Sequence, residues 1–380
     1  MSTILIVAGE TSGDIHGANL ARALKALDPT LRIVGAGGVH MREAGVEIVV
    51  DPTAHATVGL VEAFQSMHRH ARHYRLLQSA LRTHRPDAAV LIDSPDFNLR
   101  FAERVVDHGI PVVYYISPQI WAWRKGRIRT IKRLVRKMIV ILDFEEQIYR
   151  DAGVDVAFVG HPLLDARKDV DRDAVRRELG SPRTLIGLLP GSRQKQFRSL
   201  FPIMRKAAEL IAKEVPEARF VVACAPNINP KLALSGAEGQ AMGRGLEVVW
   251  NRTPDVLTAS DLLIVASGTS TLEAAIYGTP MIVTYRLNPV TAYLVGPLVW
   301  LNTKDFSLVN ILAGKRIVPE YYQSRAKPEL IAREAVSILK EGRLPEMRRA
   351  LDEVRRKLGS PGASRRAAEE VLKIVRASRP

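Results

Sequence analysis

The chain has one cysteine, Cys224, so no disulfide within it and no thiolate metal cluster is open to it. Cys224 stands in the apolar run 220–225 and reads as core. Aromatic residues are scarce, at 6% of 380, and are not interleaved with the basic runs. With no helix-turn-helix, finger or RNA-binding strand pattern either, this argues against nucleic acid as a partner. No apolar stretch is long enough to span a bilayer, and the longest, 293–301, is broken by Gly296 and Pro297. The first residues pass straight into an apolar strand, with no basic lead and no small-residue cleavage site, which sets the expectation of a cytoplasmic protein. Repeats and low-complexity tracts are also missing. Acidic residues fall short of basic ones, 40 against 55, leaving a net charge of +15 and a pI near 10. That imbalance asks for an anionic partner: nucleic acid, an acidic membrane surface or phosphorylated substrates.

What is present is globular, with 47% hydrophobic and 25% charged residues, and long enough for two ordinary domains. Strand-like runs at 3–8, 32–35, 88–92, 111–116, 138–142 and 156–159 are continuous in apolar residues, as strands covered on both faces are. Helical stretches such as 15–27, 101–108 and 144–152 fall between them. The rhythm restarts at 184–189, 219–225, 246–250, 262–266 and 281–285. Two such series predict an α/β protein of two doubly wound, Rossmann-like parallel-sheet domains facing a cleft, with ligands at the carboxyl ends of the strands. The expected domains are 1–165 and 166–345, followed by helices over 346–380 that pack across the domains or onto a second subunit.

The first strand runs into Gly9-Glu10-Thr11-Ser12-Gly13-Asp14. Small residues there let the backbone approach a ligand, and a helix N-terminus offers free N–H groups; Ser12 or Asp14 as a helix cap explains the same residues. The strand at 88–92 ends in Asp93-Ser94-Pro95-Asp96-Phe97-Asn98. A carboxylate at the end of a central strand is half desolvated, which raises its pKa toward a base's working range. Asp96 is the better cap for the next helix, so Asp93 is the candidate base. In the loop 117–124, Trp121 and Trp123 stand two apart beside Arg124, suited to a sugar or acyl contact, or to core.

In the second half, Leu189-Pro190-Gly191-Ser192-Arg193 pairs an N–H-exposing turn with an arginine fork, a good oxyanion clamp. Ser267-Gly268-Thr269 then opens a helix whose dipole favours a diphosphate. Glu273, about one turn in, is placed to bind ribose hydroxyls, or merely favours the dipole. Two phosphate-binding turns in one sheet and a carboxylate in the other describe a nucleotide-sugar transferase. No metal site is expected: Asp169-Val170-Asp171 has the spacing but falls in the linker, and His161, before a proline, reads as structural.

Between His55 and His84, Phe64, Met67, Ala71, Tyr74, Leu77 and Leu81 recur at helical spacing opposite Arg69, Arg72, His73 and Arg75. This is either an ordinary surface helix or, led by Val58, Leu60 and Val61, a basic amphipathic segment for anionic lipid. The lysines and arginines of 124–137 are a solvated face or an attraction for phosphate or acidic lipid.

Taken in order, these motifs resemble the lipid-A-disaccharide synthase family (glycosyltransferase family 19). They are Gly-Glu-Thr-Ser-Gly-Asp at 9–14, Ile-Asp-Ser-Pro-Asp-Phe-Asn at 92–98, Ser-Pro-Gln-Ile-Trp-Ala-Trp-Arg at 117–124, Leu-Pro-Gly-Ser-Arg at 189–193 and Ala-Ser-Gly-Thr-Ser-Thr-Leu-Glu at 266–273. Asn310 in Asn-Ile-Leu-Ala-Gly and Val-Pro-Glu-Tyr-Tyr-Gln at 318–323 fit as well. The resemblance implies a metal-independent GT-B enzyme, without a cofactor, at the cytoplasmic face of the inner membrane. It would transfer 2,3-diacylglucosamine from UDP-2,3-diacylglucosamine to 2,3-diacylglucosamine 1-phosphate with inversion, giving a β-1,6 disaccharide and UDP. It implies catalytic roles for Asp93 and Arg193, with Glu10 the lesser alternative base, and UDP contacts from Ser192, Arg193, Ser267, Gly268, Thr269, Glu273 and Asn310. Thr11, Ser12, Trp121, Trp123 and Arg124 would meet the sugar or acyl chains. Partners implied are the two lipid substrates, an anionic membrane surface and a second copy exchanging C-terminal helices. The chain departs from the family at Gln196, often Glu, and by packing swaps at Val58 and Val309. Another UDP-sugar enzyme, such as a UDP-N-acetylglucosamine 2-epimerase, shares the nucleotide logic. A basic lipid-surface or nucleic-acid binding module is the non-enzymatic alternative.

Overall fold

The computed structural model describes residues 2–52, 60–121, 124–234, 246–286 and 305–377, with backbone alone at 60–70 and 234. They divide into two compact units, Met1–Asp165 with Leu358–Pro380, and Ala166–Lys357. The first unit runs β1 (Thr3–Ala8), α1 (Thr11–Leu27), β2 (Arg32–Ala36), α2 (Val39–Glu43), β3 (Glu47–Val50), α3 (Leu60–His84) and β4 (Ala88–Ile92). It continues through α4 (Pro95–Asp107), β5 (Val112–Tyr115), α5 (Arg127–Leu134), β6 (Lys137–Val140), α6 (Asp143–Asp151) and β7 (Val156–Phe158). The strands form one parallel sheet in the order β3-β2-β1-β4-β5-β6-β7.

Alternate residues of a strand point to opposite faces, and here both faces are covered, which is why the strands are apolar throughout. Ile4, Ile6 and Ala8 of β1 join Leu20 and Leu24 of α1 in one core, while Leu5 and Val7 join Leu77, Phe101 and Val105 in the other.

The second unit runs α7 (Arg172–Glu178), β8 (Thr184–Leu189), α8 (Gln194–Glu214), β9 (Ala218–Cys224), α9 (Pro230–Leu234), β10 (Leu246–Trp250), α10 (Thr253–Ala259) and β11 (Leu262–Ala266). After α11 (Thr269–Tyr277) and β12 (Met281–Tyr285) come α12 (Leu308–Ala313), β13 (Glu320–Tyr322), α13 (Pro328–Lys340) and α14 (Leu344–Lys357). Its parallel sheet is ordered β10-β9-β8-β11-β12-β13.

The helices beyond 346 are not one body. α14 stays with the second unit, against α11 and α12. The last helix, α15 (Ala363–Ala377), returns to the first unit and lies along α1. Its Ala367, Ala368, Val371, Leu372 and Val375 close the core on the Ile4 face. The return is fastened by Asp165, whose carboxylate accepts from the N–H groups of Ala363 and Ser364, at 3.3 and 3.2 Å, and from that of Gly362. Arg366 donates back to the carbonyls of Val159, Ser360 and Pro361.

Two local readings are corrected. Neither Ser12 nor Asp14 caps α1; its N-cap is Glu10, without a side-chain bond. Asp14 is buried, and its carboxylate accepts from the N–H groups of Gly38, His40 and Met41 at 2.6, 3.0 and 3.1 Å, so it caps α2 instead. Asp96 does not cap α4, because Pro95 already occupies the first turn and Ser94 is the N-cap. Asp171 of the Asp-x-Asp pair caps α7, and the His161 ring accepts from the Leu163 N–H.

Candidate functional site

In an open parallel sheet, ligands bind where the strand order reverses. In the first unit that point lies between β1 and β4, so the turns at Gly9-Glu10 and Asp93-Ser94 meet there. They meet closely, since a Cβ on Gly9 would lie 2.8 Å from Ser94 Oγ. Asp93 and Ser94 are both left-handed, with φ of 47° and 43°. Such residues cost on the order of 1–3 kcal/mol each and persist only where their surroundings hold them.

What holds them is visible. Asp93 N–H donates to the Tyr115 carbonyl at 3.1 Å, and its own carbonyl accepts from Tyr114 Oη at 2.6 Å and Asn98 Nδ2 at 2.8 Å. Tyr114 and Asn98 are fully buried. The half-buried Asp93 carboxyl is pushed above its ordinary range, first by burial and then by the Glu10 charge, with the Ser94 N–H opposing. Beside it opens a cavity of 260 Å³ with apolar walls that include Val7, Val50, Leu77 and Phe97 and a polar rim of Glu10, His73 and Asp96. Thr11 and Ser12 are exposed on the first turn of α1, off the cavity walls.

Arg124 and Arg127 both clamp Asp96, Arg124 at 2.6 Å. Trp121 packs edge-on to Phe144, ring centroids 5.2 Å apart, and donates its indole N–H to Glu145 Oε1 at 3.1 Å. Its polar edge is therefore spent inside the protein. Trp123, Val58 and the side chains of Leu60, Val61, Phe64, Met67 and Arg69 lie outside the described residues.

Burial lifts the Glu145 carboxyl to about 7, more than the Trp121 and other hydrogen bonds pull it down. The folded pKa is raised, so the neutral form is favoured by folding, and stability falls as pH rises from the ordinary value of 4.5 through about 7. The full loss is about 3 kcal/mol, at 1.36 kcal/mol per unit. Denaturant midpoints of wild type and Glu145→Gln, taken from pH 5 to 8.5, should diverge over that window, with the variant the more stable at the alkaline end. Parallel curves would remove Glu145 as the cause.

In the second unit the order reverses between β8 and β11, which brings Gly191-Ser192 beside Ser267-Gly268. Gly191 (φ 106°) is required: a Cβ there would lie 2.3 Å from Gln196 Oε1, so the Gln196 side chain folds beneath this turn. Asn227 supports it from the other side, donating to the Ser192 carbonyl at 2.9 Å. The N-caps of α8 and α11, Arg193 and Gly268, provide no side-chain cap, so the N-terminal amides keep their anion-binding character. Ser192, Arg193, Ser267, Gly268 and Thr269 all border one cavity of 830 Å³.

Two of the expected residues stand off this cavity. Glu273 is not on these walls; its half-buried carboxyl is raised by burial and bonds Ser270. Asn310 is fully buried with every side-chain valence used: Nδ2 donates to Val318 O and Glu320 Oε1, and Oδ1 accepts from Ile317 and Val318 N–H. Its side chain has nothing left for UDP and instead ties α12 to β13.

Sequence reasoning missed Lys195, Arg198 and Arg286 on the walls of this cavity, where Gln196 also lies. A signal existed, since Lys195, Arg198 and Ser199 stand at i, i+3 and i+4 on one helical face.

The arrangement is that of the GT-B class, two α/β units each built on a parallel sheet. Its structural neighbours share that fold. S. aureus MnaA, solved with UDP, matches at TM-score 0.68 and 12% identity over 99% of this chain and 97% of that one. The glycotransferase of kitacinnamycin matches at 0.64 and 17% over 98% of each. At such identities the likeness concerns the fold. Sequence goes further. The family model described as lipid-A-disaccharide synthetase matches residues 4–375. A lipid-A-disaccharide synthase of Syntrophus aciditrophicus is 42% identical over 99% of this chain and 98% of its own length. That of Myxococcus xanthus is 43% identical, over 98% and 97%. The chain belongs to the lipid-A-disaccharide synthase family, glycosyltransferases that form the lipid A disaccharide.

Proposed function

We propose that the chain transfers 2,3-diacylglucosamine from UDP-2,3-diacylglucosamine to 2,3-diacylglucosamine 1-phosphate, with inversion, releasing UDP. The first unit takes the acceptor and the second the UDP-sugar. The acceptor's 6-hydroxyl attacks the anomeric carbon, Asp93 takes its proton and UDP departs. Arg193 with the turns at Ser192 and Ser267–Thr269 stabilises the diphosphate charge, in place of a metal. The observation that carries this reading is the Asp93 carboxyl, held by a strained turn at the switch point with its proton affinity raised. The apolar cavity beside it suits an acyl chain.

No helix among the described residues is long and apolar enough to cross a membrane. The excess positive charge supports peripheral attachment to the acidic inner face of the cytoplasmic membrane. A homodimer exchanging α15 belongs to the same proposal, since the surface that receives this helix would accept a partner's copy equally well.

The test is UDP release from UDP-2,3-diacylglucosamine with and without the acceptor. Release should require the acceptor, persist unchanged in excess chelator and not occur with UDP-N-acetylglucosamine alone. Release from UDP-N-acetylglucosamine alone would favour an epimerase-like reading, and loss in chelator would overturn the metal-free step.

A further inference from the structure

The walls of the 830 Å³ cavity carry four cations, Arg193, Lys195, Arg198 and Arg286, and no aspartate or glutamate. All four are exposed, and none is in an ion pair among the described residues. Elsewhere in the unit several cations are paired. Arg172 and Arg176 share Asp261, Arg252 bridges Glu178 and Asp255, Arg316 meets Asp305, and Arg343 meets Glu334. Lys195 and Arg198 stand three apart on α8, where like charges repel. An uncompensated cluster of this kind stores a demand for anionic ligand.

The diphosphate of a nucleotide sugar carries one charge per phosphate, and Arg193 with the two amide-rich turns answers it. Three cations are then left over. The acceptor brings a phosphate monoester of roughly −1.5 to −2 at neutral pH. The first unit offers it little: the polar rim there is Glu10, His73 and Asp96, two of the three acidic, and both nearby guanidiniums, Arg124 and Arg127, are engaged by Asp96. We propose that Lys195, Arg198 and Arg286 form a second phosphate subsite, which holds the acceptor's phosphate monoester beside the donor's diphosphate. Lys195 and Arg198 can reach one phosphate together from a single helical face. Arg286, just past the end of β12, approaches from the neighbouring part of the sheet. The subsite would make the enzyme select an acceptor that bears phosphate. This inference rests on the function proposed above.

The experiment compares 2,3-diacylglucosamine 1-phosphate with its dephosphorylated form as acceptors, in wild type, Arg286→Gln and the double variant Lys195→Gln/Arg198→Gln. Wild type should prefer the phosphorylated acceptor. Each variant should lose on the order of 10- to 100-fold in kcat/KM for that acceptor, the value of a charge-assisted hydrogen bond, and keep its activity on the other. The KM for the donor should stay within about threefold. A donor KM that rises in step would assign these cations to the diphosphate and overturn the subsite, as would an intact preference. A second readout needs no turnover: calorimetric binding of glucosamine 1-phosphate to UDP-saturated protein. Binding that is lost in the variants while UDP affinity holds supports the subsite even if the lipid reaction fails. Binding that is unchanged, or missing in wild type, refutes it.

Discussion

Asp93→Asn should lower kcat roughly 100- to 10,000-fold, the usual contribution of a positioned general base. Asparagine matches aspartate in size, and the bonds that fix this turn run through the Asp93 backbone to Tyr115, Tyr114 and Asn98, so folding should be little affected. Single-turnover kinetics with both lipid substrates isolates the step. The base must be ionised, and its proton affinity is raised, so the wild-type rate should fall as pH drops through a value above the ordinary aspartate range, and the variant should lose that limb. Glu10 tunes this. Removing its charge by Glu10→Gln takes away the second cause of the upward shift and should move the acid limb to lower pH. If Asp93→Asn stays within about tenfold of wild type while Glu10→Gln is inactive, the base is Glu10.

Deleting 358–380 should unfold the first unit and leave the second folded. Val371, Leu372 and Val375 are buried in the first unit's core with Ala367 and Ala368. At about 1.5–3 kcal/mol for each large side chain, the three account for about 5–9 kcal/mol. That is comparable with the whole stability of a domain, about 5–15 kcal/mol. The bonds of Asp165 and Arg366 go as well. Hydrogen exchange should show protection lost in β1 and β4 and kept in β8 and β11. Leu372→Asp, which keeps the chain length, should move in the same direction. Undiminished protection of β1 and β4 in both would refute the role given to α15.

How much of this was legible beforehand follows from where each signal resides. Strands such as Ala88–Ile92 and Leu262–Ala266 were readable because both faces are buried, so every residue is apolar. β3 and β13 were not, being edge strands of four and three residues with half-exposed side chains. Asp93 could be picked out by its place at a strand end. The left-handed turn that aims it could not, because it depends on Tyr114 and Asn98, and nothing local to Asp93 announces them. The bonds of Asn310 were hidden for the opposite reason: the motif shows the residue but not its partners, which lie eight and ten positions away. Lys195 and Arg198 were passed over because exposed cations on a helix look like a solvated face until the walls of a cavity are known.

The second unit, Ala166–Lys357, is an insertion into the first, whose core waits for α15. On the ribosome this imposes a delay. The sheet begun at Thr3 must stand with one side only partly covered, by α1 and α2, while the intervening residues are made, roughly 10–40 s at usual elongation speeds. Over that interval the nascent chain presents an apolar strip to whatever is at hand: a chaperone, a neighbouring nascent copy or the membrane itself.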